Sequence, residues 1–292
     1  MEFKLGTLWN AIVERTAGAL RAGSLQPIRT HPEWIEEGGI RFLVAVQSGL
    51  QRKKLALEQQ KNAAGGKTNP FLPPEPDLLV ADLSATHRAI LNKYNVIEHH
   101  LLIVTKQYED QEMLLTPADF AALWTGLSEF NGLGFYNGGA DAGASQPHKH
   151  LQIVPLPLAP DGPSIPIEPA LPPETPAGEF DRIPVFPFLH VFARIGGSSE
   201  EAFETYRGML ERAGLAAPDG NRPVRQSHPY CLLATRKWML LVPRVREHFD
   251  SISINALGYA GAFYVRDAAG LDRLRQAGPL RALTAVARPP GG

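Results

Sequence analysis

Cysteine is nearly absent: Cys231 is the only one in 292 residues. A single thiol excludes an intrachain disulfide framework and a cysteine-rich zinc site. An excess of charge of one sign is also missing. Charged residues are 20% of the chain and the formal net charge is -1, without the basic footprint that a nucleic-acid polymer or an anionic membrane would call for. Nowhere do apolar residues run together over the roughly 18 positions of a spanning helix. From Met1 to Ala22 the apolar residues are interrupted by Glu2, Lys4, Glu14, Arg15 and Arg21, unlike a signal peptide. No internal repeat is visible. These absences lead us to expect a soluble cytoplasmic protein with neither nucleic-acid nor membrane partners. The hydrophobic share, 44%, is enough for one large domain or two small ones.

Leu5, Leu8, Trp9, Ile12 and Ala19 recur at helical spacing, and Gly23 and Pro27 close that helix. Arg41 to Val46 reads as a strand. A polar stretch from Gln51 to Lys67 carries Lys53, Lys54, Lys61 and Lys67 around Gly65-Gly66, a basic loop. The prolines of Asn69-Pro70-Phe71-Leu72-Pro73-Pro74 forbid regular helix or a central strand there. Ala89 to Val96 and Leu101 to Thr105 carry β-formers on either side of His99-His100. Thr116-Pro117-Ala118-Asp119 is a helix start with Phe120, Leu123, Trp124 and Leu127 as its buried stripe. The glycine-rich run Asn131 to Gly139 follows. Pro155 to Pro187 is dense in proline and is expected to cross the surface as an extended connector. Beyond it, Ser198 caps a helix with Ala202, Phe203, Tyr206, Met209 and Leu210 facing inward. Tyr230 to Thr235 and Trp238 to Pro243 read as strands joined at Arg236-Lys237, and helical signals return from Asp267 to Gln276. Together these elements give an α+β fold with antiparallel strands and packed helices.

The chemistry concentrates in Gly143-Ala144-Ser145-Gln146-Pro147-His148-Lys149-His150-Leu151-Gln152. If the chain is extended after Pro147, His148, His150 and Gln152 share one face, and Lys149, Leu151 and Ile153 the other. Three polar side chains in a row on one face are costly to bury unpartnered, so they should line a pocket. Gly143, Ala144 and Ser145 offer backbone N–H groups of the kind that cradle anions. Neutral imidazole is available as a nucleophile near neutral pH, provided its second nitrogen keeps a proton held by an acceptor. From spacing alone, His-x-His also fits a metal pair or satisfied structural histidines. No third ligand stands nearby, although His87, His99 or His100 could supply one in the fold.

Asn137-Gly138-Gly139, followed by the Gly143 to Gln152 segment, resembles the signature of diadenosine tetraphosphate phosphorylases, also called ATP adenylyltransferases, of the histidine triad superfamily. The likeness extends to Lys53-Lys54, Asn69-Pro70-Phe71, Leu91-Asn92-Lys93-Tyr94 and His100-Leu101-Leu102-Ile103-Val104-Thr105. Beyond the connector it continues in Trp238 to Arg244 and Ser253 to Gly261. The resemblance implies a histidine-triad-like antiparallel sheet with packed helices and a C-terminal elaboration. We expect one integrated domain, 1–292, divisible into an N-terminal part, 1–165, and a C-terminal part, 188–288, joined by the connector 155–187.

The activity implied is cleavage of a dinucleoside tetraphosphate by inorganic phosphate, giving ATP and ADP through a nucleotidyl-histidine. By the same resemblance His150 is the nucleophile, His148 orders the pocket, and Gln152 stands beside the scissile phosphate, where hydrolytic relatives carry a third histidine. Lys54, Asn92, Lys93, Asn137, Ser145 and Gln146 are implied phosphate and nucleoside contacts, joined by Gly143 and Ala144 and, from the C-terminal part, Asn255 and Arg266. No residue set is assigned to a metal. A divalent cation such as magnesium has a place beside the polyphosphate, and no organic cofactor is called for. The rival readings are a hydrolase or another histidine-triad transferase, a nucleotide-binding sensor without turnover, and a metal-binding protein.

Overall fold

The computed structural model describes residues 4–48, 69–176, 178–217 and 224–291. Helix α1 (Leu8–Ala22) buries Leu8, Ile12 and Ala19 and stops at Gly23, whose φ of 77° turns the chain left-handed. Leu5 lies outside it and is exposed. Strands β1 (Thr30–Glu37) and β2 (Ile40–Gln47) form a hairpin, with β2 extending the expected strand by a residue at each end. The basic stretch from Gln51 to Lys67, Lys54 included, lies outside the described residues.

Next come β3 (Leu79–Asp82), β4 (His87–Leu91), β5 (Leu101–Thr105), α2 (Pro117–Glu129), β6 (Gly132–Gly138) and β7 (His150–Pro155). The strand expected to reach Val96 stops at Leu91. Asn92 Oδ1 accepts the Tyr94 N–H at 3.2 Å, and this side-chain bond starts a turn. Helix α2 has a full capping box: Thr116 Oγ1 accepts from Asp119 N, and Asp119 Oδ2 accepts from Thr116 N at 2.7 Å. Most of the glycine-rich run, Gly132–Gly138, is a central strand with every residue buried. Its glycines let α2 approach the sheet: a Cβ on Gly134 would stand 2.9 Å from Leu123, and one on Gly126 of α2 only 2.4 Å from Ile153 of β7.

The connector departs most from expectation. Between its prolines, Leu158, Ile165, Ile167, Ile183 and Phe186 are buried in the larger of the two main cores. Several of its backbone donors are met locally or by neighbours, with Leu158 N–H on Ser164 O at 3.0 Å and Ile167 N–H on Ala260 O at 3.2 Å. Prolines leave fewer donors to satisfy, so an irregular segment can lie inside a core without orphaned groups.

After the connector's short β8 (Phe180–Asp181) come β9 (Val191–Arg194), α3 (Ser199–Arg212), β10 (Tyr230–Ala234) and β11 (Trp238–Pro243). The chain ends with β12 (His248–Phe249), β13 (Ile252–Ser253), α4 (Ala256–Tyr259), β14 (Ala262–Val265), α5 (Ala268–Ala277) and α6 (Pro279–Val286). Strands from both sides of the connector share one antiparallel sheet in the order β3-β4-β5-β7-β6-β10-β11-β9-β8. Helices α1, α2 and α3 cover one face. The connector, the β1-β2-β14 sheet and the C-terminal helices cover the β6–β11 part of the other. Over β4 and β5, among the described residues, that second face carries a small cluster of Phe71, Ile90, Leu102 and Val104. Among the described residues no helix is long and apolar enough to cross a membrane.

Candidate active site

Strand register sets the site. His150 stands opposite Val104 and Gln152 opposite Leu102, while Arg88 of β4 continues the His150 row. His148 precedes the strand and bridges to Asp110. Period-two alternation holds from His150 onward, with Leu151 and Ile153 in the core under α1, α2 and α3. The ring of Phe71 lies 5.4 Å from that of His150 and 5.6 Å from that of His148.

His150 donates from Nδ1–H to the carbonyl of His148 at 2.8 Å. That bond fixes the tautomer and leaves the Nε2 lone pair available, and among the described residues no donor reaches Nε2. Burial pulls the ring's pKa down to about 4, although the bond to His148 opposes the shift. The imidazole is therefore neutral at neutral pH, with the Nε2 lone pair free to act as a nucleophile.

His148 is fully engaged. Its Nε2–H faces the carbonyls of Thr105 at 2.9 Å and Gln107 at 3.2 Å, and Nδ1 accepts from Asn69 Nδ2 at 2.9 Å. With both nitrogens taken, it cannot share a metal with His150 without breaking these bonds. Burial lowers its pKa as well. Its contribution to the pocket is its own carbonyl, presented to His150.

Gln152 is oriented by a residue that the sequence reading left out of the site. His100 Nδ1 accepts from Asn92 Nδ2 at 3.2 Å, and His100 Nε2–H donates to Gln152 Oε1 at 3.0 Å. Burial lowers the His100 pKa to about 4, which keeps it a neutral relay of one donor and one acceptor. With its carbonyl oxygen taken, Gln152 has its NH2 group left to donate. Asn92 thus enters through His100, while its Oδ1 is held by the Tyr94 turn.

Behind the strand, Lys149 is completely buried. Its Nζ donates to Asp119 Oδ2 at 2.6 Å, Leu114 O at 3.1 Å and Glu109 Oε2 at 3.3 Å. Burial raises the Asp119 carboxyl, but Lys149 and the bond from His87 outweigh it and hold the pKa well below the carboxylate range. His87 completes the group, its Nε2 3.0 Å from Asp119 Oδ1. The same carboxylate therefore caps α2 and anchors the strand of His150.

The remaining expected residues divide. Gly143 and Ala144 do not offer free amides: their N–H groups donate to Ala140 O at 2.8 Å and Gly139 O at 3.1 Å. Gly143, at φ 93°, serves close packing, since a Cβ there would lie 2.8 Å from Asn255 Cβ. Asn255 is thereby brought against the loop, with its Oδ1 capping Leu257 N at 3.0 Å. Asn137 is a tether, its Oδ1 accepting from Ala256 N at 2.9 Å. Ser145 is exposed and Gln146 half-buried at the loop tip. Lys93 points to Glu75 at 2.7 Å. Arg266 is exposed just past β14, and no contact among the described residues joins it to the histidine strand. Lys54 lies outside the described residues.

Sequence reasoning also missed Asn69 as the partner of His148, and Gln111, which holds the His150 backbone. Asn69 had a signal in the Asn-Pro-Phe tripeptide. Gln111 had none, standing in a polar loop between charged residues.

Comparison with known proteins follows the same geography. Residues 1–173 match the family of the Ap4A phosphorylase N-terminal domain, and residues 184–289 that of the ATP adenylyltransferase C-terminal domain. The diadenosine tetraphosphate phosphorylase 2 of Saccharomyces cerevisiae is 30% identical over 254 residues, 75% of each chain. Protein APA1 of the same yeast is 30% identical over 230 residues, 68% of this chain and 69% of that one. Among solved structures, yeast Ap4A phosphorylase Apa2 superposes with a TM-score of 0.78 at 23% identity, over 100% of this chain and 98% of that one. The same enzyme in complex with Ap4A gives a TM-score of 0.77 at 23% identity, over 99% of both chains.

Proposed function

The chain belongs to the Ap4A phosphorylase family, and from that premise we propose that it cleaves diadenosine tetraphosphate with inorganic phosphate to ATP and ADP. The observation that carries the reading is the His150 ring: neutral, held at Nδ1 by the His148 carbonyl at 2.8 Å, and open at Nε2. Nε2 attacks the α-phosphorus, the bond from phosphorus to the bridging oxygen breaks, and ATP leaves as an anion that needs no proton. An oxygen of phosphate then attacks the same phosphorus, the N–P bond breaks, and ADP leaves. Two displacements replace one difficult transfer. Charge developing on the ring after the first attack strengthens the Nδ1–H bond to His148. Burial that disfavours ring charge makes the nucleotidyl-histidine reactive toward its acceptor.

Gln152 favours a transferase over a hydrolase. Its amide does not titrate, so it can steady the equatorial oxygens but cannot draw a proton from water. The apolar cluster of Phe71, Ile90, Leu102 and Val104 lies on the same face and suits a purine ring. Among the described residues no group of three or more His, Cys, Asp or Glu side chains is arranged to hold a metal ion. In this reading a divalent cation such as magnesium accompanies the polyphosphate as its counterion. We place the reaction in the cytoplasm, where nucleotides and phosphate meet.

The test is product analysis by chromatography across phosphate concentrations, including none. ATP plus ADP is expected only with phosphate. Without it, a stoichiometric nucleotidyl adduct on the protein is expected, with AMP a minor product. Continuous release of AMP plus ATP at an unchanged rate without phosphate would make the protein a hydrolase. Binding with neither adduct nor products would make it a sensor.

A further inference from the structure

Strands β6 and β7 pair from Gly132 with Pro155 to Phe135 with Gln152, and there the ladder stops. Continued by two residues, it would place Asn137 opposite His150. Instead a side-chain amide fills the gap. Gln111 Oε1 accepts the His150 N–H at 2.8 Å, while Gln111 Nε2 donates to Asn137 O at 2.9 Å and to His150 O at 3.2 Å. A carboxamide has the donor and acceptor of a peptide unit, so one side chain replaces the missing rungs.

Gln111 is itself fixed. It is only 2% exposed. Its N–H donates to Pro147 O at 2.8 Å, Lys149 N–H donates to Glu109 O at 2.8 Å, and its carbonyl accepts the Tyr136 hydroxyl. The segment 109–111 is thus joined to 147–149 by a single antiparallel bridge, Asp110 with His148. Asn137, the other end of the splint, reaches α4 through Ala256.

We propose that Gln111 is a positioning residue for His150: it grips the N–H and C=O of the nucleophile and holds its peptide units rigid while its imidazole stays free. A regular β6–β7 rung would give His150 a neighbour directly across the strand; the splint opens that space and keeps the backbone polar groups satisfied. The bond from His150 Nδ1 to His148 O depends on the torsions of these residues, so loss of the grip releases ring orientation together with tautomer. The inference rests on His150 being the nucleophile.

The test compares wild type with Gln111→Met, which keeps length and loses every amide bond, and with Gln111→Glu, which keeps an acceptor for the His150 N–H and loses the donors. Three readouts are taken: adduct formation from diadenosine tetraphosphate without phosphate, the Kd of a non-hydrolysable analogue, and the His150 tautomer by nitrogen NMR. For Gln111→Met we expect adduct formation slowed about ten- to a hundredfold, as for a misplacement near 1 Å. Kd should stay within about twofold, and the Nδ1–H tautomer should lose its dominance. An unchanged rate in a folded variant overturns the proposal, as does a parallel fall of rate and affinity with the tautomer intact. If neither variant folds, hydrogen exchange decides in the unmodified protein: the His150 amide should exchange as slowly as the central ladder, and rapid exchange overturns the proposal. Failure of wild type to form any adduct refutes the nucleophile reading, a separate outcome.

Discussion

Two buried histidines in this molecule are nearly twins. His150 donates from Nδ1 to the carbonyl two residues back, His148, at 2.8 Å; His190 does the same to Phe188 at 2.8 Å. His150 lies against the ring of Phe71 and His190 against those of Phe186 and Phe188, and each has its pKa drawn to about 4, first by burial. They differ at Nε2. At His190 it accepts the Ile183 N–H at 2.7 Å and closes the connector against the sheet. At His150 no protein donor among the described residues meets it. Burial and a depressed pKa therefore do not distinguish the histidine proposed as nucleophile from its structural twin. The unmet nitrogen does.

The comparison is broken most directly by exchanging the fates of the pair. His150→Ala should lower phosphate-dependent cleavage by on the order of ten-thousandfold or more, as removal of a covalent nucleophile does, with the fold intact. His190→Ala should do the reverse. It leaves the Ile183 N–H without its acceptor, at about 1–3 kcal/mol, while turnover per folded molecule stays near wild type. Denaturation midpoints and single-turnover rates on both variants check this. Substantial turnover in folded His150→Ala, or a dead but stable His190→Ala, would remove the distinction.

Why one twin was legible in sequence and the other was not is instructive. His148, His150 and Gln152 were visible because strand alternation is a local rule, and a polar row on one face has few benign explanations. The caps at Thr116 and Ser198 and the β10–β11 hairpin were local in the same sense. His190 and the core of the connector were not, because an irregular segment buries itself through partners far along the chain. Lys149 is a sharper case: its burial depends on Asp119 and Glu109, 30 and 40 residues away. Gln111 depends on a gap in a ladder, a property of two strands together. The free amides expected of Gly143 and Ala144 failed for a related reason: the turn uses them to close itself.

Proton linkage gives an effect of intermediate size. His100, His150 and His190 have folded pKa values of about 4 against an ordinary 6.5. Between those values the unfolded chain binds more protons than the folded one, so stability rises with pH. The contribution is complete above 6.5 and declines as pH falls from there toward about 4. Melting temperatures should therefore drop across that window, and less steeply in His190→Ala, which has one such group fewer. Adduct formation needs His150 neutral and His100 neutral as its relay, so its acid limb should lie near pH 4 and not near the 6.5 of free imidazole. An inflection near 6.5 in the adduct rate would place the His150 ring in water.

The smallest effect is expected where two adjacent residues part company. Asn92 turns inward to His100, whereas Lys93 reaches out to Glu75 at 2.7 Å, with the two side chains 31% and 46% exposed. The resemblance makes both of them substrate contacts, but their surroundings do not. To neutralise a phosphate, Lys93 would have to leave a carboxylate that already pairs it. An exposed pair of this kind is worth about 0–1 kcal/mol, so Lys93→Ala should leave stability nearly unchanged. The KM for diadenosine tetraphosphate should move by less than about twofold. Asn92→Ala should instead slow adduct formation, because His100 loses the donor that fixes its ring and Gln152 loses its orientation. Steady-state kinetics at low and high ionic strength separate the cases. A KM for Lys93→Ala that rises tenfold at low salt and recovers at high salt would mean that Lys93 exchanges Glu75 for the polyphosphate when substrate arrives, making the ion pair a resting position.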